Sequence, residues 1–217
     1  MPKISRITAR EILDSRATPT IEVSLLTDMG VFGTASIPSG ASTGGSEDVE
    51  LRDGDPSRYN GKGVLKAISN VQNILAPKLL GLDISEQEKI DHLMIELDGT
   101  SNESKLGANA ILAISIAALK AAAASSKLPL FQYIGSRYRP GINLSIPGPL
   151  FNLINGGKHG AGNLDFQEFH VIPSTKMSFS DALRAGAEMW NALKTELIHR
   201  NAIHSVGDEG GFAPNLF

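Results

Sequence analysis

Two neighbouring segments indicate how the amino-terminal part folds: Ile21-Glu22-Val23-Ser24-Leu25 and, shortly after it, Asp28-Met29-Gly30. Apolar and polar residues alternate in the first segment, which is typical of a strand with one buried face. The second segment has the composition of a hairpin turn, so we expect the strands on either side of it to pair antiparallel. Further apolar residues separated by turn residues continue this pattern, and residues 1–40 are predicted to form strands.

The apolar spacing changes to a helical period between residues 57 and 126. A first helix is predicted from the apolar residues at positions 64, 68, 71, 74 and 75. A second is predicted to begin at Ser85, with Glu88 in the position of a capping box. A third, from about Leu106 to Ser126, is apolar on all sides and is expected to lie at the centre of the core. Strands followed by a helical bundle indicate an α+β domain.

A break rich in proline and glycine at residues 135–149 predicts a domain boundary near residue 140. We therefore divide the chain into domains at 1–139 and 140–217. Beyond the break, Leu150–Ile154 and Phe169–Ile172 are short apolar runs, and an amphipathic helix is predicted from about Ser180 to Arg200. Short strands that end in polar, glycine-rich loops are typical of a barrel or α/β sheet whose site lies at the carboxyl ends of the strands.

Composition and charge argue against several classes of function. The 217 residues include 20 basic and 23 acidic side chains, and the net charge of −3 argues against a general binder of nucleic acid or anionic membranes. The absence of cysteine excludes a disulfide scaffold and a cysteine nucleophile, and it fits a reducing compartment. The start lacks the apolar run of a signal peptide. The most hydrophobic stretch, 108–124, contains Asn109, Ser115 and Lys120, so it predicts a buried helix rather than a membrane span.

The first segment that could carry chemistry is the Ser/Gly/Thr loop at residues 38–45. It is not a Walker A loop, because no lysine follows Gly44 or Gly45. A loop of this composition can still close over an anion or offer oxygens to Mg²⁺. A plain surface loop is the other interpretation of the same residues.

Two further segments combine glycines with side chains that can move protons. In the segment 155–163, glycines allow close approach to a ligand, and His159 can shuttle a proton or bind an oxyanion. Gln167 and Glu168, which follow, can hydrogen-bond a substrate or a water molecule. In the segment 206–214, two adjacent carboxylates lie between glycines; one of them could act as a general acid, and a tight acidic turn is the alternative.

These three segments, in this order, resemble the enolase (phosphopyruvate hydratase) family. The segment 206–214 is similar to the catalytic-acid segment of that family throughout. Further matches extend the resemblance over nearly the whole chain: Glu11–Arg16, Glu50–Gly54, Gly61–Val64, Leu97–Thr100 and Leu106–Leu112. One departure is Ala17-Thr18, where the family usually has Gly-Asn, and we expect a strained backbone at Ala17.

The resemblance implies an α+β amino-terminal domain, a three-stranded antiparallel meander followed by helices, and then the first part of an α/β (TIM-like) barrel that holds the site. It implies the reversible dehydration of 2-phosphoglycerate to phosphoenolpyruvate, in glycolysis and gluconeogenesis, in the cytoplasm. It also implies two Mg²⁺ ions per site and a homo-oligomer, either a dimer or an octamer. Enolase-superfamily sites use a Lys or His base, with Mg²⁺ to stabilise the ene-diolate.

The resemblance also implies roles for individual residues. Glu209 is expected to be the general acid that protonates the leaving hydroxide, and Glu168 beside it is expected to help position the departing water. His159, Gln167 and Glu168 are expected to contact the substrate, with His159 near its phosphate. Ser42 is expected to give an oxygen to the second Mg²⁺ when a mobile lid closes. The expected lid comprises Ser39, Gly40, Ala41, Ser42 and Thr43.

Enolases are considerably longer than this chain. The resemblance places the three acidic Mg²⁺ ligands of the family, its base lysine and its phosphate-binding arginine beyond Phe217, so we expect the 217-residue chain alone to be inactive. Two other interpretations stay open. One is a non-catalytic, truncated enolase-like protein that acts by association with a partner. The other is a relative in the same superfamily that acts on another carboxylate, although the serine-rich lid and the segment 207–211 argue against it.

Overall fold

The computed structural model describes residues 2–40, 44–160, 164–207 and 209–216. They form two compact units, one that ends at Ile142 and one that begins at Asn143. The sequence predicts domains that meet between residues 139 and 140. Each unit is described by itself below.

The first unit opens with a three-stranded antiparallel meander of β1 (Ile4–Leu13), β2 (Pro19–Thr27) and β3 (Phe32–Ser36). The alternation in β2 is confirmed, because Ile21, Val23 and Leu25 are fully buried. The turn before β3 is closed by a bond from Gly30 N to the carbonyl oxygen of Thr27 (3.1 Å). The predicted hairpin therefore has its apolar face in the core.

The turn between β1 and β2 places Ala17 in the left-handed region, with φ of 57°. Asp14 Oδ1 holds this turn by accepting hydrogen bonds from the backbone N–H groups of Arg16 and Thr18, each at 2.8 Å. A side chain with a Cβ atom is strained in this conformation. The strain expected at Ala17 from its departure from the family pattern is therefore confirmed.

The helices follow the meander. A continuous helical rod consists of α1 (Leu65–Asn70), a π-helical turn (Val71–Leu75) and α2 (Ala76–Leu79). The remaining helices of this unit are α3 (Gln87–Asp98), α4 (Ala108–Ser125) and α5 (Leu130–Tyr138). A short 3-10 turn lies at Tyr59–Gly61. Strands followed by helices confirm the α+β class predicted for this part of the chain.

Two details of the helix prediction are wrong. Ile74, placed on the buried face, is 40% exposed, because at about 3.6 residues per turn it lies at the margin of the stripe formed by residues 64, 68, 71 and 75, all of which are buried. Ser85 does not cap α3, which begins at Gln87. The Ser85 hydroxyl instead donates to Oδ1 of Asp83 (2.8 Å), because a short polar side chain readily bonds within its own turn.

Helix α4 lies at the centre of the first core, as its apolar sequence predicts. Most of its residues are buried. Gly33 of β3 allows this close packing, since a Cβ there would lie 2.8 Å from Ala121 N and even closer to the carbonyl oxygen of Ala117. In the described part of the chain, α4 is the one helix long and apolar enough to cross a membrane. Its burial identifies it as a core helix.

The second unit contains β4 (Phe151–Asn155), a 3-10 turn (Gly157–His159), β5 (Glu168–Val171) and α6 (Phe179–His199). Helix α6 begins and ends within one residue of its predicted bounds. The two strands pair antiparallel. The hairpin reverses the chain, so β5 begins at the end of the sheet where β4 ends. A site at the carboxyl ends of the strands stays a prediction.

Candidate active site

The carboxyl end of β4 and the loop after it form one side of the candidate site. Asn155, the last residue of β4, pairs with Glu168, the first residue of β5. Gly156 N donates to the carbonyl oxygen of Gln167 (2.8 Å), which closes the hairpin. His159 lies in the short turn that follows β4. Three of the predicted site residues therefore belong to this hairpin: His159 in the turn after β4, and Gln167 and Glu168 where the chain returns.

The segment that contains Glu209 is anchored directly beside β4. The backbone N–H of Asn155 donates to the carbonyl oxygen of Phe212 (2.8 Å), and Phe212 N donates to the carbonyl oxygen of Leu153 (2.8 Å). The Phe212 ring is fully buried and stacks on Trp190 of α6, with 4.6 Å between centroids. Trp190 Nε1 also donates to the carbonyl oxygen of Gly210 (3.1 Å). These contacts fix the turn that presents Glu209.

Glu209 meets three side chains from the β4 hairpin. Its Oε2 accepts hydrogen bonds from Nδ2 of Asn152 (3.3 Å) and from Nδ2 of Asn155 (3.4 Å). Its Oε1 lies 3.8 Å from Nε2 of His159. The His159 side chain is 7% exposed and that of Glu209 is 40% exposed. The structure therefore joins the second and third segments that the sequence identified separately.

The two asparagines had no role assigned from the sequence. Residues 152 and 155 would point to opposite faces of a regular strand. A register irregularity between Asn152 and Ile154 interrupts the alternation, and both amides reach Glu209. One feature of the sequence could have revealed Asn152: it is a polar residue within the apolar run 150–154. A polar side chain in a buried strand needs a hydrogen-bonding partner, which would have suggested a role for it.

Glu168 is engaged within its own strand. Its Oε2 lies 2.9 Å from Nε2 of His170, and its Oε1 accepts a hydrogen bond from Nε2 of Gln167 (3.4 Å). His170 was thus missed as a partner of the predicted site. Among the described residues, no hydrogen bond or ion pair joins Glu168 to Glu209. The role of Glu168 as a positioning group for the departing water stays a prediction.

The predicted lid begins at a well-anchored residue. Ser39 is 8% exposed, its hydroxyl donates to Oε2 of Glu50 (3.1 Å), and the same hydroxyl accepts from Nη2 of Arg52 (2.6 Å). Arg16 Nη2 donates to the Ser39 carbonyl oxygen (2.5 Å). Gly40 follows, and residues 41–43 (Ala41, Ser42 and Thr43) lie outside the described residues. The lid and the Mg²⁺ contact of Ser42 stay predictions.

The described side chains do not form a metal site by themselves. Within the described ranges, no group of three or more His, Asp or Glu side chains could hold a metal ion. Glu168 and Glu209 each have hydrogen-bonding partners from the chain itself. These residues therefore do not form a complete ligand set for Mg²⁺.

Two family models match the chain. The model for "Enolase, N-terminal domain" matches residues 4–134, and the model for "Enolase, C-terminal TIM barrel domain" matches residues 143–217. The first match alone covers more than half of the chain. The predicted fold class is confirmed: the first unit is the α+β domain of this family, and the second is part of its barrel domain.

Proposed function

The chain belongs to the enolase family, and from this premise we propose that it carries the proton-donating side of a phosphopyruvate hydratase site. The reaction is the reversible dehydration of 2-phosphoglycerate to phosphoenolpyruvate. The observation that carries the proposal is the position of Glu209. Its carboxyl group is held between His159 and two asparagine amides on a turn anchored by buried Phe212.

The reaction needs such an acid. Removing the proton next to a carboxylate places more negative charge on an already charged group, and the adjacent hydroxyl is a poor leaving group until it is protonated. Glu209, 40% exposed and on a fixed turn, can present a proton to a ligand from this side. A positioned general acid typically contributes about 10²–10⁴-fold to a rate.

His159, Gln167 and Glu168 are proposed as substrate contacts. The imidazole of His159 is nearly buried beside Glu209, so it can bind an anionic group close to the proton donor. Glu168 begins the other strand of the hairpin, opposite Asn155, and Gln167 immediately precedes it. Their neighbouring side chains can orient the departing water by hydrogen bonds.

The enolase family generally uses Mg²⁺, which stabilises the charge that builds up on the substrate carboxylate. We propose two ions per site, with Ser42 as a contact from this chain. We also propose a homo-oligomer, a dimer or an octamer, that acts in glycolysis and gluconeogenesis in the cytoplasm. The balanced charge and the cysteine-free sequence support the proposed cytoplasmic location.

The test is an assay of phosphoenolpyruvate formation by its ultraviolet absorbance, in excess Mg²⁺. The chain is measured alone and then mixed with a carboxy-terminal enolase fragment that carries the metal ligands and the base lysine. We expect no turnover alone and turnover on mixing, with loss of activity for Glu209→Gln. Turnover by the chain alone would refute the predicted inactivity, and full activity of Glu209→Gln would refute the role of Glu209.

An association role is the second candidate. The second unit exposes several large apolar side chains: Ile146, Leu150, Phe166 and Ile172 are each more than 60% exposed. Exposed apolar side chains are suited to contact with another chain where they lie together. If the mixture shows no turnover but the chain binds the carboxy-terminal fragment stably, association without catalysis is favoured.

A further inference from the structure

The two oxygens of Glu209 have different surroundings. Oε2 accepts from two amide N–H groups, one from Asn152 and one from Asn155. Oε1 has no hydrogen bond from the described residues and faces Nε2 of His159 at 3.8 Å. We infer that Asn152 and Asn155 are positioning residues that hold Oε2 and so reserve Oε1 for the transferred proton. This inference rests on the proposed function and specifies the oxygen that performs it.

The proton balance follows from this division. A carboxylic acid has one O–H group, and an oxygen that already accepts two N–H donors is the carbonyl oxygen, so the proton lies on Oε1. In the dehydration step, the Oε1–H bond breaks and its electron pair stays on Oε1. The proton bonds to the leaving hydroxyl, whose C–O pair departs with water. The electron pair left by the earlier loss of the neighbouring C–H proton forms the C=C bond.

The two amides favour this step as well as orienting it. When Glu209 loses its proton, negative charge spreads to Oε2, where the N–H groups already point. Hydrogen bonds to an ionised acceptor are roughly twice as strong as those to a neutral one. The same donors therefore strengthen as the proton leaves, and they need no rearrangement.

The burial of the amides indicates that their orientation is enforced. Asn155 is fully buried, and among the described residues the buried Oδ1 atoms of Asn152 and Asn155 have no hydrogen-bond partner. A buried acceptor without a donor is costly. Turning either amide would place its oxygen against the Glu209 carboxylate instead, which is worse because two acceptors would then meet.

Gly211 makes the arrangement possible. A Cβ at this position would lie 2.9 Å from Oδ1 of Asn152 and even closer to Oδ1 of Asn155. The second glycine after Glu209 thus leaves the space that the two amides occupy. The glycine-rich turn thus leaves room for the asparagine amides beside Glu209, which its sequence alone does not show.

The primary test uses infrared spectroscopy of the 217-residue chain with ¹³C-labelled glutamate at neutral pH. The Glu209 bands are obtained as the difference from Glu209→Gln. Unequal bonding of the two oxygens widens the splitting between the antisymmetric and symmetric carboxylate stretches. We expect this splitting to narrow in Asn155→Ala and in Asn152→Ala. Asn191→Ala is the matched control, because Asn191 lies on α6 and, among the described residues, its amide donates to the carbonyl oxygen of Ala187 and not to Glu209.

Folding of each variant is checked by the near-ultraviolet signal of Trp190, the single tryptophan, which stacks on Phe212. Asn152→Ala keeps the inference testable if Asn155→Ala loses this signal, because the backbone N–H of Asn155 also anchors Phe212. An unchanged splitting in a folded variant would overturn the inference. So would an equal narrowing in the Asn191 control.

A second readout separates this inference from the proposed function. In the mixing assay, Asn155→Ala and Asn152→Ala should lower kcat about 10-fold or more with little change in KM, since they act on the acid rather than on binding. Absence of turnover with the unsubstituted chain would refute the proposed function, while the infrared result would still decide the positioning role. If the folded asparagine variants show a narrowed carboxylate splitting but a normal kcat, the claim that the two amides assist proton transfer is refuted.

Discussion

Asp98→Asn should lower the free energy of unfolding of the first unit more than any neutral exchange on its surface. Asp98 is buried at the end of α3 and accepts hydrogen bonds from Thr100 N (3.0 Å), the Thr100 hydroxyl, Lys105 N (3.1 Å) and Leu106 N (2.6 Å). One carboxylate thus organises the whole connection from α3 to α4. The bonds are divided between the two oxygens, with Thr100 on Oδ1 and the other two residues on Oδ2.

The magnitude follows from this division. Asparagine keeps one oxygen, so two donors lose their acceptor and face an amide N–H₂ group. Hydrogen bonds to a charged group contribute about 1.5–3 kcal/mol each. The neutral side chain avoids part of the cost of burying a charge, which offsets part of this loss. We therefore expect a loss of about 2–4 kcal/mol, a large share of a typical stability of about 5–15 kcal/mol.

The assay is urea unfolding of the full chain followed by two probes. Far-ultraviolet circular dichroism reports mainly on the helices of the first unit, and the fluorescence of Trp190 reports on the second unit alone. The control is Glu96→Gln, which removes one charge from an exposed position of the same helix. A change in the circular dichroism midpoint no larger than that of the control would refute the reasoning. An equal shift in the Trp190 transition would also refute it.

Three further predictions concern the first unit. Ala17→Gly should raise its stability by about 0.5–1 kcal/mol in urea unfolding, since glycine relieves the φ of 57° but has more freedom when unfolded; an unchanged or lower midpoint would contradict this. Burial and the charges of Asp48 and Asp98 raise the pKa of Glu103, so this carboxylate destabilises the fold above that pKa. Glu103→Gln should therefore stabilise at pH 7, with a gain that vanishes on acidification; a gain independent of pH would exclude this cause. The hydrogen bond from Arg58 lowers the pKa of Glu11, and its stabilisation is present above the ordinary pKa of 4.5 and lost as the pH falls through the lowered value. Glu11→Gln should consequently reduce the fall in the free energy of unfolding as the pH is lowered. An unchanged pH dependence would show that other groups control it.

Several elements could be predicted because their signal is local. The alternation in Ile21–Leu25, the apolar surface of α4 and the amphipathic pattern of α6 each depend on residues only a few positions apart. The strain at Ala17 was predicted from the family resemblance instead, since a position that usually holds glycine demands a conformation that other residues resist. In these cases the order of residues specifies the backbone before any long-range contact forms.

Other elements were mispredicted because the deciding interaction is not in the local pattern. Ile74 is 40% exposed although its spacing fits the buried face, because the local pattern does not show how far the core extends around the helix. Asp83 binds Ser85 and prevents it from capping α3. The antiparallel pairing of β5 with β4 depends on how the glycine-rich loop closes, which composition does not determine.

The order of residues was enough to predict the family and the succession of strands and helices, and it predicted His159, Gln167, Glu168 and Glu209 as site residues. How Glu209 is held depends on long-range contacts in the folded chain. Its amide donors, Asn152 and Asn155, are 57 and 54 positions away along the chain. They reach it because β4 breaks its alternation and Phe212 pairs alongside. Contacts over such separations depend on the path of the folded chain, and a pattern of neighbouring residues carries no information about that path.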